Sequence, residues 1–265
     1  MSILLPLYIY PWPGVWDPLY WAAGNNTNLN ITVVVNPCSG PCLTGLPEAP
    51  YRTEIPKLKT YPNIRTLGYV ATNWANKPIA DLLSEIRRYA EWAAIMNDPS
   101  MAVDGIFFDE TPGPYQWQSH DYLKVATDEV KGSQGLGQRL VVHNPGVLPD
   151  HTWNYLDLAD ITVIFEDTYA ALLDAQRFHA LRDFQNASKR PKSALAIMMH
   201  TIPNVPDELL DWVVGQMRDM VGWSFVSSIG EPGEYWHSFS NVFNNGSKSL
   251  KFLTSRGVEE GCNGP

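Results

Sequence analysis

Two pairs of adjacent carboxylates attract attention because each pair directly follows an apolar run. Asp109 and Glu110 lie in the segment GIFFDETPG, and Glu166 and Asp167 lie in VIFEDTY. Two carboxyl groups that flank one bond can hydrolyse a glycoside, because one protonates the leaving oxygen while the other attacks or activates water. The competing explanation is structural, since a carboxylate at a strand end can also cap the next helix or pair with an arginine.

Other polar and aromatic residues at the ends of apolar runs are candidates for substrate contacts. Aromatic rings stack on sugars, although a tryptophan or tyrosine is more often part of a core. The candidate substrate-binding residues are Tyr8, Tyr10, Trp12, Asn36, Tyr69, His143, Asn144, Tyr169, His200 and Trp223.

Other chemistries are less well supported by the sequence. The G-x-S-x-G motif of many serine hydrolases is absent. No two histidines have the close spacing typical of a zinc site, and a metal shared by His143, His200 and Asp109 is a weaker interpretation than substrate hydrogen bonding. We therefore predict an enzyme without metal or cofactor.

Eight short apolar runs must position these residues. They are near-continuously hydrophobic and often β-branched, which is typical of parallel strands buried on both faces. The predicted strands are residues 3–10, 31–36, 65–71, 105–110, 140–144, 161–166, 194–200 and 222–227. Helical patterns cover residues 79–96, 121–131, 170–186 and 206–220.

The alternation of strands and helices predicts an α/β protein, a single (β/α)8 TIM barrel with short or irregular helices after strands one and two. An open doubly wound sheet is the alternative, but no Gly-rich phosphate loop follows the first strand. We expect one catalytic domain over residues 1–265, with a Gly/Asn-rich tail from about residue 255. In such a barrel the active site lies at the carboxyl ends of the strands, where these polar residues accumulate.

The charge and the cysteines limit the possible partners and compartments. A formal net charge of −9 argues against nucleic acid and is compatible with a neutral or cationic substrate. No membrane-spanning segment or signal peptide is visible, and a monomer is the default expectation. Cys38 and Cys42 suit a small disulfide-closed loop, although reduced thiols are the alternative, and Cys262 lies apart.

Four glycosylation sequons favour a secreted or cell-surface protein whose targeting segment precedes this sequence. The sequons begin at Asn25, Asn30, Asn186 and Asn245.

The motifs DGIFFDE, NPG after strand five and FED at strand six resemble those of the spherulin-4 family of fungal and bacterial secreted proteins. The resemblance covers essentially the whole chain. It implies a (β/α)8 enzyme that cuts α-1,4-linked N-acetylgalactosamine within the exopolysaccharide galactosaminogalactan. The family's acidic site residues correspond here to Asp109, Glu110 and Glu166.

The implied linkage sets a chemical requirement. In an α-linked N-acetylgalactosamine the acetamido group is cis to the leaving group, so it cannot attack as a neighbouring nucleophile. The enzyme must supply its own carboxylate. We expect Asp109 to act as nucleophile or base and Glu166 as general acid, with Glu110 in a supporting or sugar-contacting role. A non-catalytic carbohydrate-binding barrel and a hexosaminidase or galactosidase of different linkage specificity remain alternatives.

Overall fold

Eight parallel strands close into a barrel in chain order, with β8 hydrogen-bonded to β1. This is the (β/α)8 barrel that the sequence predicts. The computed structural model describes residues 1–150, 154–230 and 235–239. The strands are β1 (Ser2–Leu7), β2 (Ile31–Val35), β3 (Ile64–Ala71), β4 (Gly105–Asp109), β5 (Leu140–His143), β6 (Ile161–Thr168), β7 (Leu195–His200) and β8 (Trp223–Val226).

The helices surround the barrel, and the two that follow β1 and β2 are short, as the sequence predicts. They are α1 (Asp17–Asn25), α2 (Ala49–Leu58), α3 (Ile79–Met96), α4 (Trp117–Gly132), α5 (Tyr169–Leu172), α6 (Ala175–Ala187) and α7 (Asp207–Met220). Helices α1 and α2 have nine and ten residues, and α2 contains Pro56. Between β5 and β6, the described residues contain only a short 3-10 helix, Leu156–Leu158.

The helix predicted over residues 170–186 is two helices in the structure. The break lies at Asp174, whose side chain accepts a hydrogen bond of 3.0 Å from the backbone N–H of Arg177. Aspartate favours the N-cap of a helix over its interior, because its carboxylate satisfies a backbone donor that would otherwise be unpaired. Asp174 therefore begins α6 instead of continuing α5.

Strand alternation determines which side chains enter the barrel. Tyr69 pairs in register with Phe107, and their rings stack at 6.5 Å between centroids. Successive strand residues point to opposite faces. Asp109, two residues beyond Phe107, therefore faces the barrel mouth, whereas Phe108 faces the helices.

Strand β6 contains a β-bulge that changes which of its residues face inward. Val163 pairs with Ala196, but the next pair joins Phe165 to Ile197, so Ile164 is an extra residue. Ile164 and Phe165 both pack in the outer cluster, which includes residues of α5, α6 and α7. As a result, Glu166 pairs with Met198 and faces the interior. If β6 instead ran regularly from Val163 with Ile164 paired, Phe165 would face the interior and Glu166 would face the helices.

Candidate active site

One amide joins two carboxylates at the mouth of the barrel. The Nδ2 of Asn144 donates to Oδ1 of Asp109 at 2.8 Å and to Oε2 of Glu166 at 2.5 Å. The two oxygens can lie no farther apart than the sum of these distances, 5.3 Å. Asp109 ends β4, Asn144 follows β5 and Glu166 lies in β6, so three adjacent strands bring the groups together. We call these three residues the acid trio.

Asp109 is partly buried and is well supplied with donors. Its Oδ1 also accepts the backbone N–H of Glu110 at 2.9 Å, and the hydroxyl of Tyr69 donates to the carboxylate. Burial raises the pKa of Asp109, while the hydrogen bonds from Glu110, Tyr69 and Asn144 oppose that rise because they stabilise the ionised form. Asp109 is therefore the better-stabilised anion of the pair.

Glu166 is in a less favourable environment for an anion. Burial and the negative charge of Asp109 raise the pKa of Glu166 to about 7, and the hydrogen bond from Asn144 opposes the rise. Glu166 thus holds a proton under conditions in which Asp109 is ionised. Two nearby carboxyl groups with different proton affinities are suited to divide acid and base roles.

Glu110 departs from strand geometry directly after Asp109. Its φ is 52°, in the left-handed region that residues other than glycine seldom adopt. Its carbonyl oxygen accepts hydrogen bonds from Oγ1 of Thr72 and the backbone N–H of Trp74, both at 2.7 Å. The left-handed turn aims the N–H of Glu110 at Asp109 and its carbonyl at the loop after β3.

Aromatic rings form the other side of the mouth. His200 stacks in parallel on Tyr235 at 4.2 Å, and Tyr235 meets Trp236 at 4.3 Å. Trp236 contacts Tyr8 edge-on at 5.6 Å, and Tyr8 contacts Tyr69 at 5.4 Å. We call these five residues the aromatic wall. Because Tyr69 donates to Asp109, the wall is continuous with the acid trio.

Sequence reasoning missed two members of the aromatic wall. Tyr235 and Trp236 come from the segment after β8, beyond the last predicted strand. The dense aromatic run EYWHSF at residues 234–239 is a signal that could have identified them.

Tyr10, Trp12 and Asn36 lie at the outer rim of the same face. The hydroxyl of Tyr10 donates to Glu48 at 2.5 Å, and the ring of Tyr10 lies 4.7 Å from that of Trp12. Oδ1 of Asn36 accepts the backbone N–H of Gly40 at 2.9 Å, so this side chain shapes the loop after β2. Cys38 and Cys42 are joined by a disulfide in that loop.

His143 is not at the mouth, which corrects the sequence prediction. It is paired in register with Phe108 on the helix-facing side, and its ring meets Phe108 edge-on at 5.8 Å. Burial lowers its pKa to about 3, so the imidazole is neutral. His143 and Asn144 are adjacent, and strand alternation sends only one of them inward.

The structure also places Trp223 and Tyr169 away from the mouth, contrary to the prediction that they bind substrate. Trp223 begins β8 and pairs with Ser2, so it lies at the amino end of the barrel, where its Nε1 donates to the carbonyl of Ser193 at 2.8 Å. Tyr169 begins α5 and is buried in the outer cluster among helix residues. Neither ring reaches the mouth: Trp223 is at the wrong end of its strand, and Tyr169 faces outward.

The described sequons lie away from the acid trio. Asn25 ends α1, Asn186 is in the last turn of α6, and Asn30 directly precedes β2; all three are exposed. Helices of such a barrel run antiparallel to its strands, so these three positions are at its amino end. Asn245, Cys262 and the tail from about residue 255 are outside the described residues.

Within residues 1–150, 154–230 and 235–239, no three histidine, cysteine, aspartate or glutamate side chains are grouped so that they could hold a metal ion. Within the same ranges, no helix combines the length and apolarity needed to cross a membrane.

Comparison with known proteins identifies relatives. Residues 2–249 match the profile of spherulation-specific family 4. The crystal structure of Aspergillus clavatus Sph3 in complex with GalNAc superposes with a TM-score of 0.88, at 38% identity over 96% of this chain and 97% of that chain. No curated protein matched the sequence.

More distant structures share the fold alone. A GH113 β-1,4-mannanase gives a TM-score of 0.56 at 10% identity, covering 96% of this chain and 98% of its own. The β-glucuronidase of Ruminococcus gnavus gives 0.51 at 12% identity, covering 85% of this chain and 42% of its own.

Proposed function

This chain belongs to spherulation-specific family 4, and on that basis we propose that it is a glycoside hydrolase that cleaves α-1,4-linked N-acetylgalactosamine within galactosaminogalactan. The GalNAc bound to Aspergillus clavatus Sph3, a relative of 38% identity, supports the sugar class. The observation that carries the proposal is the acid trio, in which Asn144 holds Asp109 and Glu166 together.

The separation of the carboxyl groups favours a retaining mechanism. Retaining glycosidases place them about 5–5.5 Å apart, whereas inverting enzymes need about 6.5–9.5 Å to admit a water between them. The upper limit of 5.3 Å for the two bridged oxygens lies below the inverting range. We assign Asp109 as the nucleophile and Glu166 as the general acid and base.

The reaction then has two displacements. Asp109 attacks the anomeric carbon while the glycosidic C–O bond breaks and Glu166 gives its proton to the leaving oxygen. A water next loses a proton to Glu166 and attacks the same carbon, which breaks its bond to Asp109. The second step restores ionised Asp109 and protonated Glu166. The raised pKa of Glu166 suits both of its roles, because it is protonated for the first step and near enough to neutrality to accept a proton in the second.

The aromatic wall would bind the sugar opposite the acid trio. Tyr8 and Tyr69 are closest to the carboxylates, since both tyrosines have pKa values raised by burial first and then by the charge of Asp109. Their hydroxyls stay protonated and are hydrogen-bond donors at neutral pH. A pyranose ring bound at this position would be contacted by the two tyrosine rings on one side and by the two carboxylates on the other.

The central experiment is digestion of purified galactosaminogalactan, followed by reducing ends and product size, with Asp109→Asn in parallel. We expect short oligosaccharides from the parent and none from the folded variant. If both proteins bind the polymer and neither cleaves it, the chain is a carbohydrate-binding barrel and not a hydrolase. Polymer that is neither bound nor cleaved would overturn the substrate class, and equal cleavage by both proteins would overturn the role of Asp109.

We also propose that the protein is secreted or displayed at the cell surface. The disulfide of Cys38 and Cys42 and the exposed sequons at Asn25, Asn30 and Asn186 support this location. Expression through a eukaryotic secretory pathway should yield a protein whose mass falls on treatment with an N-glycosidase. An unchanged mass would contradict the glycoprotein assignment.

A further inference from the structure

The loop between β3 and α3 has a rare backbone conformation on the catalytic face. Asn73, Trp74 and Ala75 have φ angles of 50°, 51° and 64°, so three consecutive residues other than glycine are left-handed. A left-handed conformation is unfavourable for residues other than glycine, because the Cβ approaches the following carbonyl oxygen. Strain of this type persists where the surrounding structure enforces it, and it concentrates at ligand sites.

Hydrogen bonds fix this loop to the end of β4, the strand that carries Asp109. The backbone N–H of Trp74 and Oγ1 of Thr72 both donate to the carbonyl of Glu110 at 2.7 Å. The N–H of Asn76 donates to the carbonyl of Asn73 at 2.8 Å and closes the turn. The backbone of Trp74 is therefore one hydrogen bond from Glu110, whose N–H in turn contacts Asp109.

The conformation leaves a large apolar side chain in solvent. Trp74 is 59% exposed, and among the described residues its indole makes no ring contact, whereas Trp12 packs on Tyr10. A strained turn that holds an indole outward does not stabilise the fold. A ligand that crosses the barrel mouth would cover the indole and recover the hydrophobic free energy of that surface.

We propose that Trp74 is a stacking platform for a sugar unit of the bound polysaccharide beside the unit that is cleaved, on the β3–β4 side of the mouth. The occupant follows from the location, since a chain that places one bond between Asp109 and Glu166 must continue past the rim. The apolar face of a pyranose is the surface that an exposed indole binds. This inference rests on the proposed function, and it adds a binding site outside the acid trio and the aromatic wall.

The test separates the ring from the backbone. Trp74→Gly removes the indole and keeps the loop, because glycine adopts positive φ without steric cost. Trp74→Tyr keeps an aromatic ring. Ala75→Gly relieves strain one residue away and leaves the indole in place, and Trp212→Ala removes an indole of similar exposure, 53%, from the outer surface of α7.

We expect Trp74→Gly to lower kcat/KM on the polymer about tenfold, mainly through KM, in line with the energy of an aromatic contact. Its kcat/KM on the shortest cleaved oligosaccharide that does not reach the rim should match that of the parent. Trp74→Tyr should recover most of the loss, and Ala75→Gly and Trp212→Ala should behave as the parent on both substrates.

Three outcomes would overturn the inference. Equal kcat/KM of Trp74→Gly and the parent on the polymer would show that the indole binds no sugar. An equal loss on short and long substrates would show that the loop acts on the acid trio instead. A matching loss in Trp212→Ala would show a nonspecific effect. Failure of the parent to cleave any substrate is a different result, because it would refute the proposed function itself.

Discussion

Strands β4 and β6 each deliver one carboxylate to the same amide, but they do so by opposite departures from regular geometry. Strand β4 is regular up to Asp109 and turns left-handed only after it, at Glu110. Strand β6 is irregular before its carboxylate, at the bulge formed by Ile164. The turn after Asp109 supplies a backbone donor, whereas the bulge before Glu166 only re-aims the side chain.

This difference accounts for the chemistry of the two groups. Asp109 receives hydrogen bonds from Glu110, Tyr69 and Asn144, which favour its ionised form. Glu166 is turned into the same buried region with Asn144 as its hydrogen-bond donor and the charge of Asp109 nearby. Backbone geometry at two strands thus sets which carboxyl keeps the proton.

The largest expected effect comes from removing each carboxylate in turn. Asp109→Asn and Glu166→Gln should each lose several orders of magnitude of activity on the polymer. On an oligosaccharide with an activated aryl leaving group, Glu166→Gln should recover much of its glycosylation rate, because such a group departs without protonation. Asp109→Asn should not recover.

These rates are measured as the burst of released phenol. Asp167→Asn is the control, since Asp167 is the neighbour that pairs with Arg177 at 2.6 Å instead of entering the site. Recovery by Asp109→Asn and not by Glu166→Gln would reverse the two assignments.

Insertion of one alanine between Phe165 and Glu166 should come close to the same loss. Phe165 faces the helices, so the inserted residue takes the inward position and Glu166 turns toward the helices. Activity should fall to the level of Glu166→Gln, while Ile164→Val keeps the bulge and the activity. Circular dichroism and a crystal structure of the insertion variant would establish its fold, and a folded, active insertion variant would show that strand alternation does not position Glu166.

Loss of the bridging amide should have a smaller effect with a characteristic pH signature. Asn144→Leu removes a hydrogen bond to each carboxylate, worth about 1.5–3 kcal/mol for a charged acceptor, so kcat/KM should fall about 10- to 100-fold. Both pKa values should rise, because the donor stabilises the ionised forms. The profile of kcat/KM against pH, with an alkaline limb near 7 in the parent, should move to higher pH.

Asn144→Asp extends that test. It replaces the donor by a third carboxyl, so the profile should move further in the same direction. A lower rate with an unmoved profile in both variants would contradict the bridging role of Asn144.

The smallest expected effect is on stability. It is opposite in sign to the effect on activity, because Glu166→Gln should lower activity but raise stability at alkaline pH. The folded pKa of Glu166, about 7, is above its ordinary value of 4.5, so the folded state binds more protons between these pH values. Glu166 therefore lowers stability progressively as pH rises through that window. Glu166→Gln should raise the free energy of unfolding at pH 8 by up to about 3 kcal/mol and change it little at pH 4.

Urea denaturation at the two pH values measures this difference. Glu91→Gln, an exposed position of α3, is the control and should show no pH-dependent gain. Equal effects of Glu166→Gln on the free energy of unfolding at both pH values would show that ionisation of Glu166 does not destabilise the folded protein.

The sequence was sufficient to predict the barrel and the acidic strand ends, since both depend on local patterns. The predicted strand over residues 65–71 and the helix over 79–96 differ from the structure by at most one residue. Local patterns do not decide which of two adjacent residues faces inward, so the sequence predicts both His143 and Asn144 as site residues. The bulge at Ile164 depends on the register with β7, and the contact of Trp236 with Tyr8 joins distant parts of the chain. The bulge leaves no local signal, and the aromatic run at residues 234–239 does not show that it reaches Tyr8.

The aromatic wall also orders events in time. Tyr8 precedes the acid trio in the chain, whereas Tyr235 and Trp236, which complete the wall, follow β8. During synthesis the residues of the acid trio are therefore made before the aromatic surface opposite them is complete. The mouth gains both of its sides only after all eight strands of the barrel have been made.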